Sequence, residues 1–173
     1  MGGLARKAAM IDEIKKTIDD VIILDAGNLF FSKNKITPGV TSEVVQITAH
    51  SIVDAFNVIG CHAFSPGPHD FATGLKFLKE LEKKAKFPFI SANIRDVYGN
   101  LVFKSYEIVK SGDANIGIIG LTSQFSHSDI IVDPPIGVLS DLITEVRDQC
   151  DFLVLLFSGD EKDINRLQQA DLS

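Results

Sequence analysis

Cysteine and histidine are both scarce, with two of the first and four of the second in 173 residues. Cys61 and Cys150 each lie beside an expected strand. Their spacing does not make a metal site, and a disulfide does not follow from their positions, so both read as small buried hydrophobes. An excess of positive charge is also missing. Seventeen Lys and Arg face 23 Asp and Glu, a net charge of -6, which excludes the basic footprint of a nucleic-acid or anionic-membrane partner. The Lys-rich stretch from Lys79 to Lys86 is broken by Glu80 and Glu82 and reads as a solvated helix face. No apolar run reaches membrane-spanning length. The opening Met1-Gly2-Gly3-Leu4-Ala5-Arg6-Lys7 starts an amphipathic helix, not a signal peptide. A longer parent could have lost its leader, so the compartment stays open. Internal repeats, linkers and low-complexity segments are absent as well.

What is present is a core. Forty-five per cent hydrophobic and 23% charged residues are an ordinary globular balance, and the length suits one domain. Leu4, Ala8, Ile11, Ile14 and Ile18 recur at helical spacing, which predicts a helix over residues 3–18. Val21-Ile22-Ile23-Leu24 is an all-apolar run of the kind buried on both faces of a sheet. It ends in the polar turn Asp25-Ala26-Gly27-Asn28, and a loop from Leu29 closes at Pro38-Gly39. Thr41 is the expected N-cap of a helix with Val44, Val45, Ile52, Ala55 and Ile59 inward.

The most reactive-looking segment follows. A short strand, Ala63 to Ser65, leads into Gly67-Pro68-His69-Asp70, where an abrupt reversal sets an imidazole beside a carboxylate. A strand-to-helix loop in an α/β layout lies at the carboxyl edge of the sheet, where ligands bind. Thr73 then starts a helix with Leu75, Leu78 and Leu81 inward. Pro88 to Ile94 is a strand, and residues 101–110 and 115–121 form a hairpin through Ser111-Gly112-Asp113-Ala114. A second polar loop runs from Thr122 to Pro135, a helix from 137 to 149, and a strand from Phe152 to Phe157, before a short polar helix. Strands alternating with helices around an inserted hairpin make the class α/β, with a mixed sheet or two packed sheets.

Five segments in order resemble one family: Gly2-Gly3-Leu4-Ala5-Arg6-Lys7-Ala8, Leu24-Asp25-Ala26-Gly27-Asn28, Gly67-Pro68-His69-Asp70-Phe71 with Gly74-Leu75, Phe87-Pro88-Phe89-Ile90-Ser91-Ala92-Asn93, and Ile116-Gly117-Ile118-Ile119-Gly120-Leu121-Thr122. Together, over roughly residues 2–160, they are similar to the catalytic domain of the 5'-nucleotidase branch of the calcineurin-like metallophosphoesterases. The resemblance implies two packed mixed β-sheets flanked by helices in four layers. It also implies two divalent metals at the strand ends and hydrolysis of phosphate esters of nucleotides, with the metals activating water and stabilising the displaced oxygens. On this pattern residues 1–173 are one such domain, a fragment or a shortened form, with the family's first strand and its Asp-x-His ligands lying before the segment that opens the chain.

Against the family pattern, four ligand positions are altered or out of range. The carboxylate that bridges both metals is replaced by Asn28, the Asn of the Gly-Asn-His loop by Pro68, and the His ending a late strand by Ser158. The final Gly-His-x-His would fall beyond Asp171-Leu172. The resemblance leaves His69 and Asp70 as a remnant catalytic pair, a phosphate-contacting imidazole oriented by its neighbour, and Asn28 as the one weak metal candidate. The expectation is therefore a module that has lost its two-metal centre and serves in binding, structure or regulation, with no cofactor. The alternative is a hydrolase using Mn, Zn or Mg with an altered ligand set. Expected partners are a small phosphorylated ligand and a second copy, joined near Val21 to Leu24. His50 reads as a helix-surface or partly buried side chain, His62 as a core or boundary side chain satisfied by backbone, and Asp25 as a loop acceptor, while His127 is the outlying imidazole that could reach a site.

Overall fold

In the computed structural model, which describes residues 3–36, 39 and 41–170, the first helix, α1 (Gly3–Lys15), stops short of the expected residue 18. Asp19 and Asp20 follow it, and anionic side chains oppose the negative end of the helix dipole. Leu4, Ala8, Ile11 and Ile14 are half-buried, whereas Ile18 is exposed. Lys15 ties the helix end to the Ile59 carbonyl at 2.9 Å. Gly2 of the opening motif, Pro38 of the expected loop closure and Asp171-Leu172 lie outside the described residues.

The first strand, β1 (Leu24–Asp25), pairs in parallel with β2 (Ala63–Phe64), in the register Leu24 with Ala63. It is shorter than the apolar run predicts because a side chain takes over one ladder position. The Ile23 N–H donates to His62 Nδ1 at 3.0 Å, while the His62 N–H donates to the Ile23 carbonyl at 2.8 Å. Single bridges continue this sheet from Phe64 to Phe89 and from Ile90 to Lys104. Between β1 and β2 runs α2 (Ser42–Ile59), whose Thr41 cap accepts from the Val44 N–H, as the sequence predicts. After β2 come a tight 3₁₀ turn (Pro68–Phe71) and α3 (Leu75–Lys84).

A short antiparallel pair, β3 (Ile94–Asp96) with β6 (Ile130–Val132), borders the second sheet. Strand β6 falls inside the segment expected to be a loop, three residues being too few to show a period. The second sheet comprises β4 (Tyr106–Ser111), β5 (Ala114–Thr122) and β7 (Phe152–Ser158). Strands β4 and β5 form the expected hairpin, and β7 runs parallel to β5 from Ile116 opposite Phe152 to Thr122 opposite Ser158. Helices α4 (Pro135–Arg147) and α5 (Glu161–Gln169) flank β7 in sequence.

The layers follow from where apolar side chains meet. Ala63 and Ile90 of the first sheet pack on Ile118 and Leu156 of the second. A phenylalanine-rich cluster, including Phe56, Phe64, Phe77 and Phe89, fills the space beneath α2 and α3. Ile119, Leu121, Leu139, Val146 and Leu167 fill the space beneath α4 and α5. Helix, sheet, sheet, helix is the resulting order. The sheets come so close at Gly120 that any side chain there would collide with the Ile90 carbonyl, beside the Ala92 N–H bond to the Gly120 carbonyl at 2.8 Å. This packing carries the carboxyl ends of β1, β2 and β7 to one place.

Candidate functional site

Three segments meet there: the turn after β1, the 3₁₀ turn after β2, and the last residue of β7. Asp70 is the hub. Its Oδ2 accepts from the N–H groups of Gly67 at 2.9 Å and Asn28 at 2.7 Å, and its Oδ1 accepts from Phe30 at 2.9 Å. The carboxylate is fully buried. Burial pushes its pKa up to about 6 against the three N–H donors, and the nearby charge of Asp25 adds to the rise.

The sequence pattern expects Asp70 to orient His69, and in the structure the Asp70 carboxylate accepts from the loop backbone. Side chains on a 3₁₀ turn diverge by a third of a revolution per residue, so Asp70 points into the loop backbone while His69 stays half-buried. All three hydrogen bonds to the Asp70 carboxylate come from backbone N–H groups.

Asn28 sits in the left-handed region at φ 56°, which Asn tolerates better than most residues. Its Oδ1 accepts from the His69 N–H at 2.9 Å and its Nδ2 donates to Ser158 Oγ at 3.2 Å. The Ser158 carbonyl accepts in turn from the Ser123 N–H at 2.8 Å and the Thr122 hydroxyl at 3.0 Å. Asp25 holds its own loop, as expected, by accepting from the Gly27 N–H at 3.1 Å. It also pairs with Lys7 at 3.4 Å, and Lys7 lies 4.7 Å above the Phe56 ring. At Gly67 a Cβ would collide with Ser158 Oγ and stand 2.7 Å from Asn28 Oδ1, so a larger residue there must displace those side chains.

The other histidines stay away from this cluster or behind it. His50 stacks edge-on against Phe77 at 5.4 Å, and His62 is bound to the Ile23 backbone. His127 accepts from the Asp129 N–H at 3.1 Å and lies 5.7 Å from the Phe71 ring. Burial pushes the Cys61 thiol up to about 12, which removes it as a nucleophile. Two polar roles escape a linear reading. Asp129 caps α3 through the Leu75 N–H at 3.2 Å. Buried Asn93 donates to the Thr122 and Asp133 carbonyls and accepts from the Thr122 N–H. Only the polar pattern of the 122–135 loop hinted at such work.

Among the described residues, no three His, Cys, Asp or Glu side chains converge on a point that could hold a metal ion. At the strand ends stand a neutral amide, a hydroxyl, the half-buried His69 beside the Asn28 turn, and two carboxylates that accept backbone N–H groups. By themselves these are fewer free anionic and imidazole donors than two dications take.

No family model matches the chain. Protein UshA of Salmonella pullorum is 37% identical over 122 residues, 70% of this chain and 22% of its own length. The human 5'-nucleotidase is 32% identical over 164 residues, 90% of this chain and 27% of its own. Over that part, the chain belongs to the 5'-nucleotidase branch of the calcineurin-like metallophosphoesterases. Solved structures agree on the fold. The calcineurin-like phosphoesterase YfkN of Bacillus subtilis superposes with TM-score 0.74 at 21% identity, over 97% of this chain and 55% of that one. The NAD nucleotidase NadN of Haemophilus influenzae superposes with TM-score 0.72 at 22% identity, over 94% and 29%. The 5'-nucleotidase-like chain thus spans about a quarter of the length of its curated relatives. No helix among the described residues is long and apolar enough to cross a membrane.

Proposed function

We propose that this 5'-nucleotidase-like domain works without the two-metal centre of its family, as a binding, structural or regulatory module. The observation that carries this reading is the use made of the site's two acids. Asp70 is fully buried and accepts three backbone N–H groups, and Asp25 is committed to Gly27 and Lys7. Neither carboxylate is left to converge with imidazoles on a dication. Asn28, Pro68 and Ser158 supply no charge in their place. The exposed part of His69 beside the Asn28 turn is the feature we assign to contact with a small phosphorylated ligand.

A second reading rests on the chain's reach, about a quarter of its relatives' length. Residues of a longer parent could complete an altered metal set for phosphoester hydrolysis. Assaying nucleoside monophosphates and an aryl phosphate with added Mn²⁺ separates the two. The non-catalytic reading expects no turnover above buffer. Turnover abolished by His69→Ala would establish the hydrolase.

A further inference from the structure

We infer that Asn28 and Ser158 form a metal-free clasp, in which a neutral amide joins the ends of β1 and β7 where a bridging carboxylate could not stand uncompensated. The inference takes its setting from the non-catalytic reading, but it is tested through stability and so can fail separately.

Three observations carry it. First, both ends of the Asn28 amide are used: its oxygen takes the His69 N–H at 2.9 Å and its nitrogen reaches Ser158 Oγ at 3.2 Å. One side chain therefore joins segments that lie 130 residues apart. Second, the space is filled. Gly67 has no room for a Cβ because Ser158 Oγ and Asn28 Oδ1 stand where it would go.

Third, the charge is already one-sided. Asn28 donates its own N–H to the buried Asp70 carboxylate at 2.7 Å, and Asp25 stands in the same turn, accepting from the Gly27 N–H. Lys7, 3.4 Å from Asp25 and partly exposed, is the cation beside these acids, and His69 adjoins them through its backbone. A third carboxylate at position 28 would meet two others at low dielectric with one partly screened lysine to offset them. Dications would relieve that repulsion; an amide avoids it.

A double-mutant cycle tests the coupling. Unfolding by urea would be compared for the parent, Asn28→Ala, Ser158→Ala and the double variant. A shared hydrogen bond predicts that the double variant loses less than the product of the single effects, by about three- to tenfold in the unfolding equilibrium constant. Effects that multiply independently would overturn the clasp. Asn28→Asp supplies a readout that packing alone would not move. Its stability relative to the parent should fall as pH rises from 4 to 7, and Mn²⁺ should leave the parent's midpoint unchanged. An Asn28→Asp variant equal to the parent at every pH would remove the charge argument. Should Asn28→Ala fail to fold, hydrogen exchange at the His69 amide in Ser158→Ala decides the coupling: faster exchange supports it, and unchanged exchange rejects it.

Discussion

The backbone N–H of Asn28 donates to the buried carboxylate of Asp70 at 2.7 Å, across 42 residues of sequence. That bond, with those from Gly67 and Phe30, makes an acid the joint of two loops. A carboxylate accepting several backbone donors is held mainly by hydrogen bonds, and each N–H left unpaired in a buried site costs the desolvation of that group. Asp70 is thus explained by architecture before any chemistry is asked of it.

Removing the joint should be severe. Asp70→Ala strands the Gly67, Asn28 and Phe30 donors, and the loss of stability expected is about 3 kcal/mol or more. Asp70→Asn should recover only part of it, since one amide oxygen cannot replace both carboxylate oxygens. Urea unfolding at neutral pH measures both. A change below about 1 kcal/mol for Asp70→Ala would show that the loops are held by something else.

The same acid predicts an unusual pH response. Burial raises its folded-state pKa to about 6, above the ordinary value near 4. The native state therefore binds the proton more tightly than the unfolded chain. The stabilisation from this group is full below about pH 4 and is lost as pH rises through about 6. Asp96 and Asp129, whose pKa values are lowered by hydrogen bonds from Asn100 and Ser128 respectively, act oppositely and below that window. Unfolding free energies of the parent minus those of Asp70→Asn should decline between pH 4 and 6.5. A difference that rises over that range would reverse the sign assigned to Asp70.

Gly67→Ala tests how full the strand-end space is. The added methyl would press on Ser158 Oγ and Asn28 Oδ1, and overpacking of this kind costs about 1–3 kcal/mol. Ser158→Ala in the same chain should return part of the loss by clearing the hydroxyl. If Gly67→Ala melts with the parent, the space is larger than the contacts imply.

Self-association is proposed from the sheet edges. Among the described residues β1 pairs only with β2, and β7 only with β5. Strand β7 is apolar up to its closing Ser158 and β1 ends the apolar run Val21 to Leu24, and open edges beside apolar segments invite pairing with another chain. Sedimentation equilibrium at micromolar concentration should give a dimer. The 18.9 kDa monomer across the whole range would show that these edges stay unpaired.

Much of this fold is legible in the chain. The all-apolar run Phe152 to Phe157, the turn at Gly112-Asp113 and the Thr41 cap each produce the element they predict. What is not legible depends on contacts far apart in sequence. Strand β1 shrinks because His62 takes an N–H that a neighbouring strand would otherwise bind. Strand β6 exists because Ile94 to Asp96 lies beside it. At the site, the resemblance picks out Asn28, His69, Asp70 and Ser158, but adjacency in sequence does not show how the middle two are placed. The 3₁₀ turn parts them, and no local pattern shows that Asn28 and Ser158 meet.

Whether these residues hold divalent metal is the question on which the account turns. Titrating the chain with Mn²⁺, then Zn²⁺, in a calorimeter answers it directly. The predicted result is no stoichiometric site at micromolar affinity, with the Asn28 and Ser158 partners left as they are. One or two sites tighter than micromolar, abolished by His69→Ala, would contradict it.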